Sequence, residues 1–537
     1  MNRADLSCRQ REVVEATEGF VVALGGAGSG KTTAALWAAR EHLGRDGASP
    51  AERVLFATFS RTAVGLIAQR SRHVLAEFGD RIEVHTFHSL SYRLLSDFGR
   101  YAGYGRETPA IESEARAKLL GRDGTRLSYD DLIPIALQLL ENNRILELVG
   151  QRWTLVICDE FQDTSSDQWE LLMRLAQHGR LLVFADPHQM IHSWRPTVSS
   201  RRLDEAVGRA DRVIELEEVS HRDPSGVIPA MAARVRERDF AHEAVDAAAA
   251  GGRLKVVTCG GGDVPDRVRA EIVEARREGC RSVGVFETTN RGVAELGAEL
   301  TGLGVNHTLI GIPEAQGEGL IALALLFGYA LGGVNWGEAR LQLAIFLTAA
   351  VRSGNDPPRL ANEMHDDAVT SNLLRAKLAE LQASLDEARA PDQVLEVVVN
   401  AWEELGIAAG IPVWRRAARS FEALVRRMMM LPLDTERLAE EVLAAATGLH
   451  TEALITGDSP DIGSVQLMNF HQTKGREADA VILVFREGGF VAGWTEREPF
   501  EEKSRLLYVG LTRARTRVTV LLPPDPHDLV APFSRIV

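Results

Sequence analysis

The stretch Gly25-Gly26-Ala27-Gly28-Ser29-Gly30-Lys31-Thr32 constrains this chain more than any other. It fills the G-x-x-x-x-G-K-[ST] pattern and follows an apolar run, Phe20–Leu24, that predicts a buried strand. Glycines let backbone N–H groups close around phosphate oxygens, and the N-terminal end of the next helix adds positive potential. Lys31 is placed to reach the outer phosphates and Thr32 to hold Mg²⁺. The pattern implies a nucleoside triphosphate site. It does not by itself choose between a kinase, a transporter ATPase, a GTPase and a helicase.

At 537 residues the chain exceeds what one core supports, so several domains are expected. A hydrophobic content of 45% with 25% charged residues excludes a disordered chain. The formal net charge is −14, yet residues 53–106 hold eight arginines against four carboxylates, and nucleic acid meets one face rather than the average. Cys8, Cys158, Cys259 and Cys280 form no CxxC pair, which leaves no zinc-ligand set and no disulfide framework. That usage fits a reducing cytosol, and the expected location is cytoplasmic. The first residues lack a basic segment ahead of an apolar one, so no secretion signal is expected. The longest apolar run, 321–331, is too short to span a bilayer and predicts a core helix, so no membrane partner is expected.

In chain order, Ser7 is a helix-capping candidate, and Gln10 precedes the loop with an amide that offers both a donor and an acceptor. Arg53–Thr58 predicts a second strand, a helical stretch runs from Phe59 to about Glu77, and 82–84 predicts a third, short strand. That strand ends in His85-Thr86-Phe87-His88-Ser89, where open α/β sheets carry ligands. Residues 99–151 read as a small, polar helical insertion. The apolar run 153–158 then delivers Asp159-Glu160-Phe161-Gln162-Asp163, adjacent carboxylates suited to holding Mg²⁺ and to orienting or deprotonating an attacking water. Strands at 181–184 and 213–216 complete a mostly parallel sheet with helices on both faces. A second α/β pattern opens with 254–257 and 283–286. Alanine- and leucine-rich helical segments occupy 311–454, and the strand pattern returns at 465–468, 481–485 and 518–522.

Taken together, DEFQD at 159–163, HQTKGRE at 471–477, YVGLTRAR at 508–515 and the phosphate loop resemble the UvrD/Rep/PcrA family of superfamily 1 DNA helicases. The resemblance rests on some eight motifs between Gln10 and Arg515 and reaches the two insertions only by position. It implies an α/β fold of two RecA-like P-loop NTPase cores with parallel sheets, each carrying a mainly helical insertion. On that pattern the first core spans 1–98 and 152–219 with its insertion at 99–151. The second spans 220–310 and 455–537 with its insertion at 311–454.

Carried over residue by residue, the resemblance implies ATP and Mg²⁺ as cofactors. Gly25, Gly26, Ala27, Gly28, Ser29, Gly30, Lys31 and Thr32 would cradle the phosphates, with Thr32 and Asp159 on the metal. Gln10 is similar to the family's adenine-reading glutamine, Glu160 to its water-activating base, Gln189 to its γ-phosphate sensor and Glu477 to its ribose-holding acid. Arg222 and Arg513 match two arginines that the second core sets against the γ-phosphate. Thr58, Phe59, Thr86, His88, Trp194 and His471 fall at or near positions that steer or stack single-stranded DNA. His221 stands where a tyrosine usually stacks on adenine and Thr33 where an arginine often does. Those two departures, with Ala185 for a glycine, bear on nucleotide preference. His192, Pro196 and Asn469 bear on grip and stepping.

The implied activity is an ATP-dependent 3′–5′ DNA helicase and single-stranded DNA translocase in DNA repair or a related process, acting on single-stranded and tailed duplex DNA. Insertions of about 50 and 140 residues look short for the family. This favours a second reading, an ATPase subunit beside a nuclease in a complex such as a bacteriophage-defence system, sensing DNA ends or nucleotides and unwinding weakly alone. Little chain follows the last strand, so no appended nuclease is expected.

Overall fold

The computed structural model describes residues 5–58, 64–65, 67, 71, 74–104, 111–121, 127–190, 200–216, 223–310, 313–351, 356–455, 464–487 and 498–536. Its strands in chain order are β1 (Phe20–Leu24), β2 (Arg53–Thr58), β3 (Ile82–Thr86), β4 (Ile111–Glu112), β5 (Leu127–Ser128), β6 (Trp153–Asp159), β7 (Arg180–Ala185) and β8 (Arg212–Glu215), followed by β9 (Leu254–Thr258), β10 (Val283–Glu287), β11 (Thr308–Leu309), β12 (Val465–Asn469), β13 (Ala478–Val484) and β14 (Ala514–Leu522). Contacts divide the chain into two compact units. One comprises Met1–Phe98, Ile133–Gly311 and Pro460–Val537; the other comprises Gly99–Leu132 and Ile312–Ser459.

The first unit holds two six-stranded sheets, in the orders β3-β2-β6-β7-β1-β8 and β11-β12-β10-β13-β14-β9. Every pairing in both is parallel. Parallel strands covered on both faces read as unbroken apolar runs, and this is why β1, β6, β7 and β13 are legible in the sequence. In the second sheet the period of two sorts side chains cleanly. Val481, Leu483, Val518 and Val520 enter one core with helices Val227–Arg236 and Glu501–Leu511. Ala480, Ile482, Val484 and Leu521 enter another with helices Val264–Arg277 and Asn290–Gly302. The expected α/β architecture, parallel sheets sandwiched by helices, is present.

The second unit is helical apart from the small β4–β5 pair. The apolar run 321–331 falls almost wholly within helix Pro313–Ala330, where Leu323, Leu326 and Phe327 are fully buried. Its core also takes Ala115 and Leu119 from helix Glu114–Leu120, so two segments remote in sequence share one interior. The stretch expected as one insertion, 99–151, is therefore split: helix Asn143–Arg152 remains with the sheets, burying Ile145, Leu146 and Val149 and running directly into β6. Among the described residues no helix is long and apolar enough to cross a membrane.

Candidate nucleotide site

The loop after β1 takes its shape from two glycines with left-handed backbones, Gly28 at φ 82° and Gly30 at φ 83°. Gly30 caps helix Lys31–Gly44 without a side chain, leaving that helix end open toward the loop. Pairing of Leu24 with Ala185 in β1–β7 sets the loop beside Asp186. Lys31 Nζ donates to Gly25 O at 2.7 Å and Gly26 O at 2.9 Å and lies 3.8 Å from Asp186 Oδ2. Thr32 Oγ1 donates to Asp159 Oδ2 at 3.2 Å. Among the described residues Ser29 Oγ, buried in the loop, has no hydrogen-bond partner. A lysine, two hard oxygen donors and an orphan hydroxyl on one loop fit a triphosphate with Mg²⁺, a cation that takes one or two protein oxygens and completes its shell with phosphate and water.

Strand β6 ends by turning sharply. Asp159 is buried, and Glu160 adopts a left-handed backbone at φ 58°, an uncommon state for a side chain of this kind that swings its carboxylate off the strand axis. Asp159 Oδ1 accepts the Glu160 N–H at 2.9 Å, and Glu160 Oε2 accepts from Gln162 Nε2 at 2.6 Å. Burial, helped by the Glu160 charge, pushes the Asp159 carboxyl up to about 6. Burial acts on Glu160 in the same sense, but the charges of Lys474, Lys31 and Arg513 outweigh it and hold that carboxyl down at about 2.

Side chains from the second sheet complete the cluster. Lys474, between β12 and β13, lies 3.4 Å from Glu160 Oε2, donates to Gln189 O at 3.1 Å and pairs with Asp163. Burial lowers its ammonium to about 8. Arg513, fully buried just before β14, donates through Nη2 to Gln189 Oε1 at 2.9 Å and through Nε to Val509 O at 2.9 Å. Gln189 Nε2 in turn donates to Asp186 Oδ2 at 2.6 Å. Both sheets thus meet at one set of charges around the loop.

Family comparison matches the same segments. The family model described as the UvrD/REP helicase N-terminal domain matches residues 6–125 and 114–201, and the UvrD-like helicase C-terminal domain matches 418–522, together more than half of the 537 residues. The chain belongs to the UvrD/REP helicase family. It is 25% identical to the ATP-dependent DNA helicase UvrD2 of Mycobacterium tuberculosis, across 96% of this chain and 78% of that protein. Similarity also extends to DNA helicase II of Escherichia coli, 24% identical over 35% of this chain and 34% of that one, and to the ATP-dependent DNA helicase PcrA of Bacillus subtilis, 23% identical over 35% and 33%.

Of the residues that the UvrD/REP resemblance singled out, the structure brings Lys31, Thr32, Asp159, Glu160, Gln189 and Arg513 together as described. Gln10, expected at adenine, braces the loop: Oε1 accepts from Ser7 N at 3.0 Å, Nε2 donates to Ser29 O at 2.9 Å, and the residue is buried. Its amide engages backbone because it is the third helical residue, the one that closes the capping box opened by Ser7. Thr33 is half-buried in the first turn after the loop. Glu477 is half-buried and accepts from Arg515 Nη2 at 3.0 Å. Thr58 and Thr86 are buried at the ends of β2 and β3, where Thr58 is in register with both Thr86 and Asp159. His88 is half-buried in the helix after β3, and His471 is half-buried in the short turn Phe470–Thr473. Phe59, Trp194, His221 and Arg222 lie outside the described residues.

Sequence reading assigned no role to Lys474, Asp163, Gln162 or Asp186. Gln162 Oε1 accepts the Asp186 N–H at 3.0 Å while its Nε2 holds Glu160, so it ties the ends of β6 and β7 together. The signal available in the sequence was the position of Gln162 and Asp163 inside DEFQD, of Lys474 inside HQTKGRE, and of Asp186 directly after the apolar run of β7, each a charged or amide group next to a buried strand.

Proposed function

We propose that this chain is an ATP-dependent translocase on single-stranded DNA that moves 3′ to 5′ and separates duplex ahead of it. The observation that supports the reading best is the bond between Arg513, carried by the second sheet, and Gln189, carried by the first. A guanidinium on a separate sheet from Lys31 is charge held ready for phosphoryl transfer, and arginine fingers as a class supply about 10³–10⁵ in rate.

In this reading the loop amides and Lys31 would hold the outer phosphates of ATP, and Thr32 with Asp159 would hold Mg²⁺, whose charge would offset that of the phosphates. Glu160 orients a water toward the γ-phosphate and accepts its proton. It leaves the grip of Lys474 to do so, since a carboxylate held near 2 is a weak base. Gln189 and Arg513 turn from each other to the γ-phosphate. Hydrolysis then requires the two sheets to close, and the register Thr58–Asp159 joins that closure to the ends of β2 and β3, where half-buried His88 would steer the DNA while Thr58 and Thr86, expected near its phosphates, are buried and would brace the strand ends instead.

The test is ATP hydrolysis with and without single-stranded DNA, followed by strand separation on 3′-tailed and 5′-tailed duplexes. Stimulation by DNA and unwinding of the 3′-tailed substrate are expected. Unstimulated hydrolysis, or a preference for the 5′ tail, contradicts the proposal.

A further inference from the structure

The segment that carries Arg513 also touches the phosphate loop at a second point. Tyr508, buried in helix Glu501–Leu511, takes the Ala27 N–H on its hydroxyl oxygen at 3.5 Å, and a Cβ on Gly26 would stand 3.7 Å from the same oxygen. Its ring is fixed from the other side. The His188 ring lies edge-on at 6.3 Å, the Arg236 guanidinium carbon is 5.9 Å from the ring centroid, and Arg236 Nη1 and His188 Nδ1 are 2.9 Å apart. Burial and the Asp186 charge push the phenol up to about 12, so the group is a neutral hydroxyl at any working pH.

Two donors that a triphosphate needs are therefore engaged by protein oxygens: Lys31 with Gly25 O and Gly26 O, and the Ala27 N–H with Tyr508. The first is internal to the loop. The second comes from the other sheet, and packing alone does not require it, because a phenylalanine would fill the same space.

We propose that Tyr508 is a positioning residue that holds the phosphate loop through the Ala27 N–H and competes with phosphate for that donor. The inference rests on the reading of this loop as an ATP site. Because Tyr508 and Arg513 leave the same short segment, exchanging the hydroxyl for a phosphate oxygen at Ala27 frees that segment to move Arg513 from Gln189 onto the nucleotide. The contact thus sets ATP affinity without taking part in the chemistry.

The experiment is equilibrium binding of a fluorescent mant-ATP to the full chain, parent against Tyr508→Phe, with steady-state kcat and KM measured on the same preparations. The substitution removes one oxygen and keeps the ring against His188 and Arg236. An affinity gain of about 2–10-fold is expected, the range that one neutral hydrogen bond supplies. KM should fall in parallel while kcat moves much less. Unchanged or weaker binding overturns the proposal, as does a fall in kcat at constant Kd. Failure of the parent itself to bind mant-ATP would instead overturn the ATP-site reading on which the inference rests.

Discussion

Lys474 Nζ lies 3.4 Å from Glu160 Oε2 and also pairs with Asp163, which is fully buried. One ammonium from the second sheet thus faces two carboxylates of the first, and removing one partner of such a cluster costs far more than the cluster contributes relative to an apolar replacement. Lys474→Met should lower stability by about 3–5 kcal/mol, seen as a drop in thermal midpoint. Adding Asp163→Asn should recover much of it. A single variant that melts with the parent would contradict the assignment of Lys474 as the counter-charge.

Substitutions at the phosphate loop separate binding from chemistry. Lys31→Ala should abolish turnover with the fold retained, because among the described residues the lysine bonds loop carbonyls and Asp186. Glu160→Gln should bind ATP and turn it over poorly, since an amide accepts no proton from water. Near-parental hydrolysis by Glu160→Gln would remove Glu160 as the base.

The helix that begins with Lys31 carries a pH response of its own. Burial pushes the His42 imidazole down to about 3, with the Arg45 and Arg180 charges acting in the same direction, and its Nε2 lies 2.9 Å from Thr154 Oγ1. The unfolded chain takes a proton on this residue near 6.5 that the folded chain refuses until about 3. Its contribution to stability is complete above 6.5 and is lost as pH falls through that window. Thermal midpoints of the parent should decline between pH 7.5 and about 5, where ordinary carboxylates stay mostly ionised, and His42→Gln should decline less. Equal slopes would show that His42 titrates normally.

In the helical unit, Gly317 has no room for a side chain because a Cβ there would overlap His450, whose Nε2 lies 3.2 Å from Glu318 Oε1. Gln342 also bonds Glu318, so the buried carboxylate is held from two sides. Gly317→Ala should displace His450 and lower the melting temperature by several degrees, the effect of disturbing a buried pair. Gly448→Ala, where a Cβ meets nothing within 4 Å, serves as the control and should not. A Gly317→Ala chain as stable as the control would contradict the packing described.

How far the sequence is legible follows from range. The longer strands, the loop and the acidic turn after β6 are local patterns of apolar runs and glycines and stand close to where the sequence places them, whereas the two-residue strands β4, β5 and β11 are too short to leave such a pattern. Pairings across hundreds of residues leave no such pattern: Lys474 with Asp163 and Arg513 with Gln189 are separated by 311 and 324 positions. Motif resemblance supplied Arg513 and Gln189 but not Lys474, whose role appears only when both sheets are in view. The sharing of helix Glu114–Leu120 with a bundle some two hundred residues downstream was equally hidden, because Ala115 and Leu119 alone make too small an apolar face to name a partner. Gln10 shows a different limit. Its amide suits adenine by composition, and the capping box that engages it depends on Ser7 at the right spacing.

The central claim is that two sheets build one ATP site, and Arg513 tests it most directly because it has no reason to affect hydrolysis in a single-sheet ATPase. The measurement is ATP turnover by Arg513→Ala and Arg513→Lys, with and without single-stranded DNA, alongside mant-ATP binding. Binding should stay near the parent value, turnover of the alanine variant should fall by about 10³-fold or more, and stimulation by DNA should be lost, with the lysine variant recovering part of the rate. Normal, DNA-stimulated hydrolysis by Arg513→Ala would contradict the claim.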